Sequence, residues 1–170
     1  MQRRTLLLGL STAALLAACG GGDSAGGKFR RYNGPRVTQI QVFKGERKMY
    51  LLSGPKVIKK YKIGLGGNPT GPKRFEGDGK TPEGYYLISH RNPNSAYHLS
   101  LGISYPNEQD VAFAESQGKR PGGDIFIHGQ AGKNRGRGKD WTAGCIAVTD
   151  DEIEEIYSMI APGTGIWIFP

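Results

Sequence analysis

His128-Gly129 and Thr142-Ala143-Gly144-Cys145 are the two segments that decide how this chain folds and what chemistry it can perform. The cysteine follows the histidine by 17 positions. An apolar run over 125–127 immediately precedes the histidine, and a second over 146–148 immediately follows the cysteine. The stretch between the histidine and the cysteine is polar and glycine-rich. Short apolar runs of this kind are typical of buried strands. We therefore expect an imidazole and a thiol at the ends of adjacent strands, with a substrate-facing loop between them.

A cysteine beside a histidine indicates nucleophilic chemistry. Cysteine attacks as its thiolate, and a neighbouring histidine stabilises that form as an ion pair. The order along the chain excludes two protease families, since papain-like enzymes carry the cysteine well before the histidine and caspases carry the histidine about 50 residues ahead of it. A buried, inert Cys145 is the alternative interpretation, and the adjacent Gly144 and the polar loop argue against it.

These segments resemble the catalytic domain of the L,D-transpeptidases, the YkuD family. The family pattern is His-Gly, a spacer of mid-teens length, then Ser/Thr-x-Gly-Cys and an apolar residue, here Ile146. Gly79-Lys80-Thr81-Pro82-Glu83-Gly84-Tyr85 is similar to the family's Thr-Pro-x-Gly-Phe/Tyr segment. Many members have His where Ala143 stands, and Asn or Arg where Ala147 stands. The chain looks closer to the murein L,D-transpeptidase/amidase-like subgroup, which reads Thr-x-Gly-Cys-Ile-Ala-Val.

The resemblance implies a mainly β protein, with a single β-sandwich domain over 36–170 and a few short helices. It also implies acyl transfer on the stem peptides of peptidoglycan. Cys145 attacks the L,D amide before the terminal D-Ala of a tetrapeptide stem, D-Ala leaves, and an amine resolves the thioester. That amine belongs to a neighbouring stem or to a lysine of a wall-linked lipoprotein. Two alternatives stay open: an L,D-hydrolase or amidase that trims stems or releases wall-linked protein, and a non-catalytic wall-binding lipoprotein.

Residues beside the pair have candidate catalytic roles. His128 is the candidate general base, and its ring needs a partner that orients it. Asp124 is four residues before His128. On an extended strand, which rises about 3.3 Å per residue, it would lie about 13 Å from His128, too far to bond the imidazole. The resemblance implies a backbone carbonyl instead, for which Gly129 is the candidate. Gly144 permits a tight turn, so its N–H and that of Cys145 are predicted to form an oxyanion hole.

Three residues near the motif are predicted to contact substrate. Thr142 braces the turn before the cysteine or is a plain strand residue. Trp141 is either a loop anchor or a wall of the substrate site. Tyr105 follows a strand end, from which its hydroxyl is predicted to reach the oxyanion.

The loop between the histidine and the cysteine is basic. Arg135 and Arg137 alternate with Asn and Gly residues, as do Lys133 and Lys139 in the same loop. Guanidinium groups bind carboxylates well, so one interpretation is a cradle for the carboxylates of a peptide stem. The alternative is a solvated surface loop.

Charge and ligand spacing argue against two other classes of function. The net charge is +8, yet no nucleic-acid-binding motif accompanies it, so anionic cell wall and membrane surfaces are the expected partners rather than nucleic acid. His90 and His98 are interpreted as surface or packed residues. No Cys-x-x-Cys or His-x-x-x-His spacing indicates zinc. We predict no metal and no cofactor.

The N-terminus predicts export. Arg3 and Arg4 precede a mostly apolar run over 5–17, which is too short to be a stop-transfer helix. Leu16-Ala17-Ala18-Cys19 resembles a bacterial lipobox, in which Cys19 is lipidated and becomes the first residue of the mature protein. An ordinary signal peptide is the alternative, and the two arginines also partly match a twin-arginine signal.

These signals divide the chain into a signal peptide over 1–18, a lipidated flexible tether over 19–35 and the catalytic domain over 36–170. The tether is rich in glycine and in basic residues. We expect an exported, membrane-anchored lipoprotein that faces the periplasm or the cell wall.

The rest of the chain is typical of a turn-rich β fold, with 27 glycines and 10 prolines. Asn107 is the predicted N-cap of a short helix that ends near 117, and Thr149 opens a capping box with Glu152 before a helix over 150–160. A long loop is predicted over 65–79. Strands are predicted over 37–42, 49–52, 57–63, 85–89, 97–105 and 165–169.

Overall fold

Short strands dominate the structure. The computed structural model describes residues 27–134 and 139–170. In this part of the chain the α-helices are α1 (Glu108–Ser116) and α2 (Asp150–Met159), and a 3-10 turn covers Gly132–Asn134. The strands are β1 (Gln39–Phe43), β2 (Lys48–Ser53), β3 (Lys56–Lys62), β4 (Leu65–Gly66), β5 (Gly84–Asn92), β6 (Ser100–Ile103), β7 (Phe126–His128), β8 (Asp140–Thr142), β9 (Ile146–Ala147) and β10 (Gly165–Phe169).

Eight strands form one curled sheet in the order β3-β2-β1-β10-β5-β6-β7-β9. Its two ends meet, because Gly64, just after β3, exchanges two backbone hydrogen bonds of 2.8 and 2.9 Å with Ala147 of β9. The remaining strands, β4 and β8, pair in parallel beside this junction. The sheet thus encloses the core, and the predicted mainly β, sandwich-like domain with a few short helices is confirmed.

The core follows from alternation along the strands. Ile40 and Val42 of β1 are buried between partly exposed neighbours, and Met49 and Leu51 of β2 face the same interior. In β6 all four residues are buried, and α2 packs against β6 and β7. Each fully buried large apolar side chain contributes about 1.5–3 kcal/mol. The strand that ends in His128 therefore pairs with a strand whose four residues are all buried.

Both predicted helix starts are confirmed. Asn107 caps α1 and exchanges hydrogen bonds with Asp110 in a capping box. Thr149 caps α2 in the same way: its N–H donates to Glu152 Oε2 at 2.8 Å, and its Oγ1 accepts from the Glu152 N–H at 3.3 Å. These local bonds satisfy backbone donors that have no partner within the helix. They fix the start of α2 at Asp150, with two residues between β9 and the helix.

Two segments differ in detail from the expectations. The predicted loop over 65–79 begins with β4, whose Leu65 pairs with Asp140 of β8. Two residues are too few to show a strand pattern in the sequence. The end of the predicted tether contacts the domain, since Arg30 Nε donates to Glu154 Oε2 at 3.0 Å and the Phe29 ring packs 6.2 Å from that of Tyr157.

The predicted signal peptide, Cys19 and the first part of the tether lie outside the described residues. Across the described ranges, none of the helices has the length and apolar character needed to cross a membrane.

A buried lysine holds the segment that follows β4. The Lys44 side chain is 2% exposed, and its Nζ donates to Gly71 O at 2.7 Å, Thr81 O at 2.9 Å and Glu83 Oε1 at 2.8 Å. These three acceptors match the three protons of an ammonium group. Burial lowers the pKa of Lys44, and the hydrogen bond and charge of Glu83 oppose that shift.

We predict that Lys44→Ala lowers the free energy of unfolding by about 3 kcal/mol. This is the lower end of the range for removing one partner of a buried ion pair, because Glu83 is partly exposed. Urea denaturation followed by circular dichroism measures the change. Lys56→Ala, at an exposed position of β3, is the control and should change stability by no more than about 0.5 kcal/mol. An equally small effect of Lys44→Ala would contradict the prediction.

Candidate active site

Two parallel strands bring the histidine and the cysteine together. In the β7–β9 pair Ile127 is opposite Ile146, and His128 is opposite Ala147. Cys145, one residue before β9, is therefore level with Phe126. Because alternate residues of a strand share a face, His128 and Cys145 lie on the same side of the pair. The expected placement of the two side chains on adjacent strands is thus present.

The imidazole of His128 is fixed on several sides. The side chain is buried, and its Nδ1 lies 2.6 Å from the Gly129 carbonyl oxygen. A carbonyl oxygen only accepts, so Nδ1 carries the proton and Nε2 is left as an acceptor. The ring stacks on Tyr97 at 4.4 Å between centroids and meets the edge of Trp141 at 5.7 Å. The bond to the Gly129 carbonyl is the one that the family resemblance implied.

The thiol of Cys145 has a different partner. Its Sγ donates to the Asp124 carbonyl oxygen at 3.4 Å. Asp124 has a φ of 56°, in the left-handed region that most residues avoid. The Asp124 carboxyl group was expected to be too far from His128 to bond the imidazole. The backbone oxygen of Asp124 instead accepts the hydrogen bond from the thiol.

Burial favours the neutral forms of both groups. It lowers the pKa of His128, and the hydrogen bond to the Gly129 carbonyl only partly opposes this effect. It raises the pKa of the Cys145 thiol, against a smaller opposing effect of a backbone hydrogen bond from Phe126. Both shifts oppose the expected thiolate–imidazolium pair. Burial disfavours both charges.

The turn before Cys145 is braced by Thr142, as one of the two interpretations held. Its Oγ1 accepts from the Gly144 N–H at 3.1 Å and donates to the Cys145 carbonyl at 2.8 Å. The prediction that the Gly144 N–H is an oxyanion donor is wrong for this conformation, because that N–H is already bonded to Thr142. The Cys145 N–H is the remaining candidate.

Gly144 has a backbone and steric reason to be glycine. Its φ is 139°, and a Cβ there would lie 2.6 Å from the Lys80 carbonyl oxygen. Lys80 belongs to the Gly-Lys-Thr-Pro segment that resembles the family. The next residue, Thr81, is buried, and its Oγ1 accepts from the Gly66 N–H at 3.1 Å. The Thr-Pro segment therefore packs against the residue that precedes Cys145.

Two cavities meet at the histidine and the cysteine, and both residues line each of them. The first, the Asp124 cavity, has a volume of about 260 Å³. The second, the Trp141 cavity, measures about 380 Å³. A larger cavity of about 590 Å³ beside α1 lies elsewhere. The Asp124 cavity is also lined by Asn92, Ser95, Tyr97, Ser100, Asp124 and Phe126, and the Trp141 cavity by Tyr97, Asn134, Trp141, Thr142 and Ala143.

The residues predicted to bind substrate divide into three groups. Trp141, in β8, and Thr142 line the Trp141 cavity. Tyr105 lines neither cavity: it is buried, and its hydroxyl donates to the Pro121 carbonyl at 3.1 Å. Its predicted contact with the oxyanion is therefore wrong, because the hydroxyl is held in the core. Arg135 and Arg137 lie outside the described residues.

Tyr97 is the wall residue that the sequence analysis missed. It was assigned to a strand, but it precedes β6, and its ring covers the imidazole and lines both cavities. No local pattern marks it, since the contact joins two distant parts of the chain. His90 is exposed, and His98 Nε2 lies 2.8 Å from Glu154 Oε1. Among the described residues no group of three or more His, Cys, Asp or Glu side chains is arranged to hold a metal ion.

Comparisons with known proteins agree with this geometry. Residues 38–168 match the model of the L,D-transpeptidase catalytic domain, YkuD. The Escherichia coli K12 protein named "Putative L,D-transpeptidase YafK" is 32% identical over 136 residues, which are 76% of this chain and 48% of that protein. The chain thus spans about half the length of the curated relatives it matches.

Solved structures share the architecture. The helical cell shape determining protein Pgp2 from Campylobacter jejuni superposes with a TM-score of 0.62 at 27% identity, over 81% of this chain and 49% of Pgp2. An L,D-transpeptidase from Mycobacterium smegmatis, at 14% identity, has the same fold with a TM-score of 0.54 over 81% of this chain and 60% of its own. Since the family model covers most of the chain, the protein belongs to the L,D-transpeptidase catalytic domain family.

Proposed function

We propose that the protein is an L,D-transpeptidase that acts on peptidoglycan stem peptides, with Cys145 as nucleophile and His128 as general base. One observation carries the proposal: the Cys145 thiol lines the same two cavities as the His128 imidazole, whose Nδ1 is bonded to the Gly129 carbonyl oxygen. A nucleophile and a base that share a substrate space are the minimum for covalent acyl transfer. Membership of the family supplies the substrate class.

The first half-reaction follows from the neutral resting state. The Cys145 sulfur attacks the carbonyl carbon of the L,D amide before the terminal D-Ala, and the thiol proton passes to His128 Nε2. The Cys145 N–H stabilises the oxyanion of the tetrahedral intermediate. The C–N bond then breaks, the imidazolium returns the proton to the departing amine of D-Ala, and a thioester remains on Cys145. Charge develops only when the substrate is present.

The second half-reaction needs an acceptor. An amine attacks the thioester carbonyl, His128 takes one of its protons, and the Cys145 thiol is restored. Two cavities that both open on Cys145 give the acyl donor and the amine acceptor separate places, which favours transfer over hydrolysis. Water in the acceptor cavity would make the same site a hydrolase that trims stems or releases wall-linked protein. We propose a neighbouring stem, or a lysine of a wall-linked lipoprotein, as the acceptor.

Substrate contacts are proposed on the Trp141 side. Trp141 and Thr142 border the cavity there. Arg135 and Arg137, which precede β8 in the sequence, are proposed to bind the carboxylates of the stem. Many relatives have a polar residue where Ala147 stands, and the two arginines are proposed to supply that recognition here.

We also propose that the protein is exported and anchored to the membrane by lipid on Cys19, facing the periplasm or the cell wall. The signal region and the lipobox support this location. Pgp2 is a cell-shape determining protein, and a role in cell wall organisation is proposed here by that similarity.

The central prediction is release of D-Ala from purified tetrapeptide muropeptides, with a new cross-link or amine exchange product detected by mass spectrometry. A thioester adduct should be found on Cys145. Cys145→Ala should abolish turnover and leave the circular dichroism spectrum unchanged. Tripeptide as the sole product, with an amine acceptor present, would indicate the hydrolase. Retention of turnover in Cys145→Ala would reject the mechanism.

His128→Ala should slow acylation by about 10²–10⁴-fold, the usual contribution of a positioned general base. His90→Ala, at an exposed histidine, is the matched control and should keep wild-type rates. Stopped assays of D-Ala release at saturating substrate measure the change. A rate in His128→Ala similar to that of the control would contradict the role of His128.

The pH dependence should reflect a neutral pair. The pKa of Cys145 lies above its ordinary value of 9.0, so alkylation by iodoacetamide should accelerate about tenfold per pH unit between 7 and 9. The pKa of His128 lies below its ordinary 6.5, so kcat/KM should hold as the pH falls to 6.5 and decline only below it. An alkylation rate that is already maximal at pH 7 would instead indicate a preformed ion pair.

Anchoring is tested by fractionation. The native protein should sediment with membranes and carry lipid on Cys19 by mass spectrometry. The Cys19→Ala protein should either keep its signal peptide or be released from the membrane. The isolated catalytic domain over 36–170 should keep its activity, because Cys19 is remote in sequence from Cys145 and His128. A soluble native protein with a free Cys19 would refute the lipoprotein assignment.

A further inference from the structure

The first residue of α2 contacts the loop that follows the histidine. Asp150 Oδ1 accepts a hydrogen bond from the Gln130 N–H at 2.7 Å and another from the Ala131 N–H at 2.9 Å. Ala131 has a φ of 45°, so the loop turns through the left-handed region at this point. One carboxylate oxygen therefore fixes two successive peptide groups of the loop.

The topology places these groups side by side. His128 and Ala147 are opposite each other in the parallel β7–β9 pair, so the chain leaves both strands at the same edge. One chain continues into the loop after His128, and the other continues into α2. Thr149 and Glu152 form the capping box of α2, and the Asp150 carboxylate contacts the neighbouring loop.

A single peptide group links Asp150 to the imidazole. The carbonyl of Gly129 and the N–H of Gln130 belong to one planar trans unit, in which they point in opposite directions. The N–H donates to Asp150, and the carbonyl oxygen lies 2.6 Å from His128 Nδ1. Holding one end of this unit fixes the direction of the other.

The close fit explains why a glycine follows the histidine. A Cβ on Gly129 would lie 2.6 Å from Asp150 Oδ1 and 2.9 Å from the Tyr97 carbonyl oxygen. Both distances are shorter than any ordinary carbon–oxygen contact. The His-Gly pair is therefore a consequence of the carboxylate that packs against the peptide group.

We propose that Asp150 is a positioning residue for His128 and that it acts through the Gly129–Gln130 peptide group. It holds the Gly129 carbonyl against Nδ1, which keeps the proton on that nitrogen and directs the unprotonated Nε2 toward the cavities. A negative charge beside the N–H also polarises the peptide group and strengthens its carbonyl as an acceptor. The inference rests on the proposed role of His128 as base.

The other ionisable groups near the imidazole are placed differently. Tyr97 stacks on the ring face, and Cys145 and Asp124 border the cavity that His128 lines. Nδ1 itself faces the Gly129 oxygen. Asp150 is therefore the group whose removal should act on the Nδ1 side.

The test compares Asp150→Ala, Asp150→Asn and Asp151→Asn. Asparagine keeps the accepting oxygen without the charge, whereas alanine removes both. Asp151 is the matched control: it is also in the first turn of α2, and its side chain is 91% exposed. The readout besides kcat/KM is the His128 tautomer, from the nitrogen-15 shifts of the imidazole, with His128→Ala to assign the signals.

Asp150→Ala should lower kcat/KM about tenfold or more, as the loss of a partner that orients a histidine does elsewhere. Its His128 signals should show a mixture of the two neutral tautomers. Asp150→Asn and Asp151→Asn should keep the Nδ1–H tautomer. If Asp150→Ala does not fold, Asp150→Ser, too short to reach both N–H groups, takes its place.

The wild-type tautomer in Asp150→Ala, or loss of the Nδ1–H tautomer in Asp150→Asn, would overturn the inference. These NMR results do not depend on turnover. Unchanged activity in His128→Ala would instead reject the proposed function, and it would leave the orientation of the ring by Asp150 as a separate finding.

Discussion

The parallel pairing of β7 with β9 is the constraint on which the rest of the site depends. It sets Ile127 against Ile146 and is extended by the hydrogen bond from the Val148 N–H to the His128 carbonyl at 3.0 Å. From this register follow the common face of His128 and Cys145 and the position at which α2 begins. A slip by one residue would turn the cysteine to the opposite face. The register of this strand pair therefore sets the geometry of the candidate site.

Contacts from outside these two strands also hold Cys145 in place. The Thr-Pro segment packs against Gly144 through the Lys80 carbonyl, and Lys44 donates a hydrogen bond to the Thr81 carbonyl of the same segment. The Thr142 hydroxyl bonds both the Gly144 N–H and the Cys145 carbonyl. The bend before Cys145 is thus held by the Thr142 hydroxyl and packs against Lys80, which limits the rearrangement needed in the proposed attack by the sulfur.

Short-range patterns predicted much of this arrangement. The spacing from His128 to Cys145 predicted adjacent strands, and the residue types at Asn107 and Thr149 predicted helix starts that the structure contains. The Gly129 carbonyl followed from the family resemblance. In each case the information lies within a few residues or in a motif of fixed spacing.

Features that depend on distant contacts were not predictable in this way. Tyr97 contacts the imidazole from a distant part of the chain, and the pKa of the Cys145 thiol is raised by burial that no local pattern records. Tyr105 was misplaced for the same reason, since only the tertiary structure shows its hydroxyl bonded to Pro121. The pairing of β4 with β8 joins segments too short to carry a periodicity.

The burial that raises the pKa of the Cys145 thiol has a consequence for its reactivity toward oxidants. Peroxides and disulfides react with thiolates far faster than with thiols. A buried thiol with a raised pKa holds less of the thiolate form, so Cys145 should react with such oxidants more slowly than an exposed cysteine does. Under the proposed mechanism, the same burial that suppresses the thiolate makes the reactivity of Cys145 depend on a substrate in the two cavities that it lines.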